Sequence, residues 1–263
     1  MAGVDEREDS AVRLVLREAC ILAAAGRAIL LQVAHPKVAR GVAEHSRFAE
    51  DPLKRLQGTM YYVYGTAFGT PEEAAWIAGA VNDIHQHVTG PGYSADDPDL
   101  QLWVAATLFD SGLQIYEATL GPMTEAMQEE LRQEYARFAT QLGCPEELWP
   151  SSVAEFRRYW QQQVDTLEVT ADAKRICHDM MYSTALPWYL RTLLPLNRLI
   201  TAGLLPERIR EEYGFAWNPR RERMFRRVAR LLRLAYPRIP RRMRWLPMKL
   251  YMRSFRKRYR SYA

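Results

Sequence analysis

Arg55 and Thr59 stand four residues apart at the head of "RLQGTMYYVYGTAFG" (Arg55 to Gly69), a run with no charge after its first residue. On a helix this spacing puts both on one side, one turn apart. An enclosed guanidinium keeps its charge and must meet an anion, either a carboxylate side chain or the acid group of a ligand. A hydroxyl beside it adds a neutral donor to the same cavity. The pair alone is a weak motif.

Five histidines add possible ligands: His35, His45, His85, His87 and His178. Two fall in "VNDIHQHVTG" (Val81 to Gly90), where i, i+2 side chains of a helix point apart and cannot share one metal. Ile77, Val81, Ile84 and Val88 define the apolar stripe there; His85 flanks it and His87 turns further away. A histidine at the edge of a core face is either a hydrogen-bonded core residue, the commoner case, or a metal ligand. His35 sits at a helix end, where it can cap carbonyls, and Glu44 and His45 precede the next helix. His178 has nothing beside it that suggests a role. No HExxH, GxSxG, P-loop, Rossmann glycine fingerprint or Cys-His signature is present, which removes the support for hydrolase, nucleotide-phosphate and dehydrogenase readings.

The elements that must position these groups are helical. Apolar residues recur at helical spacing and β-branched alternation is nearly absent, so the predicted class is all-α. An opening helix is predicted from about Ser10 to His35, stopped by Pro36. Asp51 before Pro52 and Thr70 before Pro71 each read as an N-cap followed by proline at the first helical position. The second of these helices is expected to end at Gly90. Further helices are predicted over Pro98 to Leu120, over Thr124 to Leu142 with Gly143 closing, over Ser152 to Leu167 with Ser152 and Glu155 as a capping box, and over Ala171 to Met181. With no repeat or linker, the expectation is one helical domain over 10–215 and a basic C-terminal extension over 216–263.

On the helix after Pro52, Leu53, Leu56, Met60, Val63 and Ala67 form the core stripe. The far side carries Arg55, Thr59, Tyr62 and Thr66 beside Gly58, Gly65 and Gly69. Each helical glycine costs about 1 kcal/mol relative to alanine, so something must approach this backbone closely. Either another helix crosses there or a flat ligand lies on it.

The net charge of +5 hides an asymmetry: Arg220 to Arg260 holds 17 Lys/Arg and one acid, Glu222, while the rest of the chain has 30 acidic and 19 basic residues. This arm reads first as helices docked on the acidic body, next as a contact for anionic lipid, and last as a nucleic-acid surface. Its leucines (Leu231, Leu232, Leu234, Leu246 and Leu250) favour docking over base stacking, so no specific nucleic acid is expected. Three scattered cysteines without CxxC indicate neither disulfides nor a thiolate zinc site, and "MAGVDEREDS" is no signal peptide. The expected setting is cytoplasmic.

The ordered set "LLQVAHPKVARGVAEHSRFAEDPLKRLQGTMYYVYGTAFG", "HQHVTG" and "DPDLQLWVAATLFDSGL" resembles the catalytic domain of the MpaB-type and rubber-oxygenase family, over about Ser10 to Tyr189. The resemblance implies a globin-like helical core around a b-type haem, and dioxygen-using cleavage of carbon-carbon double bonds in isoprenoid chains. Without CxxCH the haem would be held non-covalently. The family's axial histidine matches His85 in His-x-x-Val-x-Gly, completed by Val88 and Gly90, and its arginine and threonine match Arg55 and Thr59. Where the rubber-cleaving branch has a lysine before the threonine this chain has Gly58, which opens that side of the haem and points away from polymeric rubber. A family histidine after "WV" is Ala105 here, and Glu44 is a candidate for the branch's glutamate base. The implied partners are dioxygen and a hydrophobic unsaturated substrate that enters near Leu186 to Pro206, with peripheral contact to an anionic membrane through the basic C-terminus. The alternatives are a haem sensor or carrier without turnover, and a cofactor-free helical interaction protein.

Overall fold

The computed structural model describes residues 10–46 and 51–262. The acidic opening stretch, apart from Ser10, lies outside these residues. Among them the fold is all-α, the sole exception being a minimal antiparallel pair, β1 (Thr89–Gly90) on β2 (Tyr93–Ser94).

The expected opening helix is broken. Helix α1 (Ala11–Leu16) is followed by a 3-10 turn (Ala19–Ala24) and α2 (Ala25–Val33). The break falls at Glu18, which takes an extended backbone conformation and is buried. Its carboxylate pairs with Arg244 at 3.1 Å and accepts hydrogen bonds from Tyr236 Oη at 3.0 Å and Trp245 Nε1 at 3.1 Å. A buried carboxylate must be paired, and the partners that end the helix lie more than 200 residues away in sequence. After α2 the chain turns at Pro36 into α3 (Pro36–His45), bent 106° from the preceding helix.

Helix α4 (Pro52–Phe68) starts as expected: the Asp51 carboxylate accepts from Lys54 N. Helix α5 (Pro71–His85) opens with a full capping box between Thr70 and Glu73. It stops at His85, five residues before the expected Gly90. The chain turns there into the small strand pair, where a Cβ on Gly90 would fall 2.5 Å from the Tyr93 ring. Gly90 therefore makes room for the Tyr93 ring and could not carry a Cβ without displacing it; it does not cap a helix.

Helix α6 (Pro98–Leu120) is the centre, with α2, the 3-10 turn and the basic helix Pro219–Ala235 packed around it. Trp103 Nε1 donates to Leu31 O across the α2 contact at 3.1 Å. The apolar α2 carries a buried Arg27, whose charge meets Asp110 of α6 at 2.6 Å. The predicted helix over Thr124 to Leu142 splits at Ala136 into α7 (Glu125–Tyr135) and α8 (Arg137–Thr140), and Gly143 closes it with φ of +102°. Helix α9 (Val153–Thr166) keeps only half of its expected capping box: Ser152 accepts from Glu155 N, but the Glu155 carboxylate reaches back to Ser151. Helix α10 (Ala171–Met181) is as predicted.

Short helices α11 (Trp188–Arg191), α12 (Leu194–Leu204) and α13 (Glu207–Glu212) lead to the basic helices α14 (Pro219–Ala235), α15 (Arg241–Arg244) and α16 (Leu246–Arg260). These dock on the body. Phe255 of α16 is fully buried against α4, Arg256 bonds Glu73 at 3.0 Å, and Tyr61 Oη lies 2.5 Å from Ser254 Oγ. Gly65 permits this contact, since a Cβ there would sit 3.2 Å from the Phe255 ring. Among the described residues no single helix is long and apolar enough to cross a membrane.

Candidate functional site

A cavity of about 630 Å³ lies between α3, α4, α5 and α6, closed at one side by the β1–β2 turn. Arg55, Gly58 and Thr59 of α4 face it, as does His85 from the last turn of α5. The α4 backbone is fully exposed to this space at Gly58, where an added Cβ would meet nothing within 4 Å. The three glycines of α4 thus do three different things: Gly58 opens the cavity, Gly65 receives Phe255, and Gly69 ends the helix, its N–H donating to Gly65 O.

Arg55 is held in place by a hydrogen bond from Nη1 to Ser46 Oγ at 2.8 Å. Burial lowers its pKa from the ordinary value, yet a guanidinium stays charged, so the site carries a fixed cation. Thr59 Oγ1 donates to Arg55 O at 3.2 Å, and the one-turn spacing read from sequence is realised. Ala105 of α6 is also in the wall.

The histidines separate clearly. His85 lines the cavity with its Nδ1 buried and unpartnered, and burial pushes its pKa down, which favours the neutral imidazole. His87 is exposed and outside the cavity wall, with Nδ1 bonded to Asp83 O at 2.7 Å. His35, at the α2–α3 turn, also has a buried and unpartnered Nδ1 and a pKa lowered first by burial and then by Lys37, but it does not line the cavity. His178 is exposed and stacks on Tyr182. His45 does reach the cavity, where its Nε2 lies 3.0 Å from Tyr93 Oη.

Tyr93 was not readable as a site residue. Its hydroxyl donates to Glu44 Oε2 at 2.5 Å, and Glu44 also binds Arg40 Nε at 2.8 Å. The bonds from Tyr93 and then Arg40 hold the Glu44 carboxyl below its usual range, and the Glu44 bond raises the Tyr93 phenol. Of this cluster the sequence pointed to Glu44 and His45; for Tyr93 its trace is the pair of glycines around the ring, since a Cβ on Gly41 would stand 3.4 Å from it and one on Gly90 2.5 Å.

A second space of about 50 Å³ shares Arg55, Thr59, Gln32 and Leu108 with the main cavity. Its remaining wall is mostly aliphatic, including Ile21, Ala28, Met60 and Val63. Among the described residues no group of three or more His, Cys, Asp or Glu side chains is placed to hold a metal ion. The cavity therefore brings the His85 imidazole, the Arg55 guanidinium and the Thr59 hydroxyl to one largely apolar space, with Lys37, Lys54, His45 and Tyr93 also in its wall.

The chain is 32% identical over 242 residues to the uncharacterized protein Mb2261 of Mycobacterium bovis, an alignment covering 88% of this chain and 95% of that one. The uncharacterized protein Rv2237 of Mycobacterium tuberculosis matches with the same identity and coverage. No solved structure matches. The family model described as "ER-bound oxygenase mpaB/B'/Rubber oxygenase, catalytic domain" matches residues 12–234 and takes in every cavity residue named above. The chain belongs to the mpaB/rubber oxygenase catalytic-domain family, a family of oxygenases that act on a small-molecule substrate with dioxygen.

Proposed function

We propose that this oxygenase is b-type haem-dependent and acts on a hydrophobic unsaturated substrate, isoprenoid or lipid-like. The observation that carries the reading is His85: a neutral imidazole with a buried, unpartnered nitrogen in the wall of the cavity that Arg55, Gly58 and Thr59 share. The volume, about 630 Å³, lies within the roughly 300–1,000 Å³ common for cofactor sites. A lone protein ligand suits iron whose other positions a macrocycle fills, and neutral imidazole is the form that binds metal. Haem b bound here would supply the activation of dioxygen.

The chain's own residues have separate tasks. His85 would hold the haem iron through its imidazole. Arg55, anchored by Ser46, provides positive charge toward an acidic cofactor edge or a developing anion. Thr59 offers its hydroxyl as a hydrogen-bond donor beside it, giving up its bond to Arg55 O. Gly58 leaves the α4 backbone bare so that a flat group or substrate can approach. The aliphatic walls exclude water and favour an apolar substrate. The basic C-terminal helices draw the protein to the cytoplasmic face of an anionic membrane, where such a substrate resides.

Oxygen uptake by the haem-loaded protein with unsaturated lipids and short isoprenoids tests the reading. Substrate-dependent uptake is expected; Thr59→Ala should abolish most of it without loss of haem, and Arg55→Ala should lower both uptake and haem affinity. Haem binding without uptake on any such substrate would mark a carrier instead.

A further inference from the structure

A second groove, of about 480 Å³, lies on the surface between the end of α10 and the start of α12. It is lined by Tyr182, Ser183, Trp188, Arg191, Leu194 and Arg198, among others. Trp188 in its wall is 76% exposed, and its chain neighbours Tyr189 and Leu193 are 56% and 55% exposed. Isolated exposed apolar residues need no explanation, but a run of them about a groove marks an interaction site. None of the three is claimed by the central cavity.

The groove is also cationic. From Tyr182 to Pro206 the chain has Arg191 and Arg198 and no acidic residue. Arg198 is braced, with Nη1 bonded to Met181 O at 2.9 Å and its guanidinium 4.5 Å over the Tyr182 ring. Arg191 is exposed. Ser183 lines the same groove, is only 6% exposed, and its Oγ has no hydrogen-bond partner. A buried hydroxyl without a partner is costly to leave so, and a ligand oxygen would satisfy it.

We propose that this groove docks the protein on an anionic phospholipid surface, with Trp188, Tyr189 and Leu193 entering the boundary between headgroups and acyl chains while Arg191, Arg198 and Ser183 engage a lipid phosphate. Tryptophan and tyrosine favour that depth because one end of each ring system is apolar and the other polar. Leu193 and the 43% exposed Leu196 favour lipid over single-stranded nucleic acid, whose bases would stack on the aromatics and leave both leucines in water. One shallow apolar anchor gives only marginal membrane binding, and stable attachment takes a second signal. The 17 Lys/Arg between Arg220 and Arg260 supply it. The groove is the insertion point; the basic helices provide the long-range attraction. This docking is independent of what fills the central cavity.

The test uses the full-length protein, as purified, with vesicles of phosphatidylcholine alone or mixed with phosphatidylglycerol, some carrying brominated acyl chains that quench nearby tryptophan. The mixed vesicles are expected to sediment the protein, and bromination to quench its emission. Trp188→Phe should lose most of the quenching, and Arg191→Glu should weaken binding by about tenfold. Both sites are exposed, and circular dichroism confirms that the variants fold. Three results would overturn the proposal: unchanged quenching in Trp188→Phe, a dimer in solution that shields Trp188 and leaves vesicles unbound, or a preference for single-stranded RNA over vesicles. Loss of oxygenase activity on its own would leave sedimentation and quenching unaffected, so the two readings fail separately.

Discussion

Tyr93 donates its hydroxyl to the Glu44 carboxylate at 2.5 Å, joining a residue of the β1–β2 turn to one of α3 at the edge of the central cavity. The same hydroxyl lies 3.0 Å from His45 Nε2, so a hydrogen-bonded chain runs from Glu44 through Tyr93 to a histidine in the cavity wall. Replacing Tyr93 with phenylalanine should let the Glu44 pKa rise toward the ordinary carboxylate value, since the Tyr93 bond is the largest cause of its depression. Because the folded-state pKa is depressed, this pairing stabilises the fold above the unfolded carboxylate pKa and is lost as pH falls through the folded one. Carboxyl-carbon NMR titration of both proteins checks it; an unmoved Glu44 would contradict the bond.

Glu18 and Arg244 form a buried pair at 3.1 Å that ties the N-terminal turn to the basic C-terminal helices. Glu18→Ala should strip Arg244, Tyr236 and Trp245 of their shared acceptor and cost about 3–5 kcal/mol of stability. Denaturant unfolding reads this directly. A loss below about 1 kcal/mol would mean that the arm does not depend on Glu18.

Gly58 and Gly65 lie on the same helix yet should respond in opposite directions. Gly58→Ala adds a methyl to open space and should stabilise the apoprotein by up to about 1 kcal/mol through helix propensity. Gly65→Leu pushes a side chain into Phe255 and Ile77, whose atoms would lie 3.1–3.2 Å from its first carbon, and should destabilise by about 1–3 kcal/mol. Thermal melts of the two variants suffice, and equal shifts would contradict the assignment of roles.

The cysteines should behave as inert core residues. Burial pushes the Cys177 thiol up to about 12 and raises Cys20 and Cys144 as well, so little thiolate exists at pH 8. Iodoacetamide should leave the native protein unlabelled and modify all three in denaturant, as mass spectrometry would show.

Features written in local chemistry were legible in the sequence. The caps at Asp51–Pro52 and Thr70–Pro71 depend on three or four neighbouring residues, and the helices start where those residues stand. The preference for His85 over His87 followed from helical periodicity, and only His85 of the two reaches the cavity. Features that depend on distant partners were not legible. The break at Glu18 answers to Arg244, Tyr236 and Trp245, and the strand pair that follows α5 in place of its last turn packs Tyr93 on Gly90. The roles of the glycines in α4 were ambiguous because a crossing helix and a cavity both call for a missing side chain; the structure assigns the crossing to Gly65 and the open space to Gly58.

The central claim is that the His85 imidazole holds haem iron, and the visible absorption spectrum of His85→Ala beside those of the unaltered protein and His87→Ala tests it most directly. The account predicts a Soret band and bound iron in the unaltered protein and in His87→Ala, with both lost or the band shifted in His85→Ala. An unaltered protein that takes up no haem, or a His85→Ala variant with undiminished iron and the same spectrum, would contradict it.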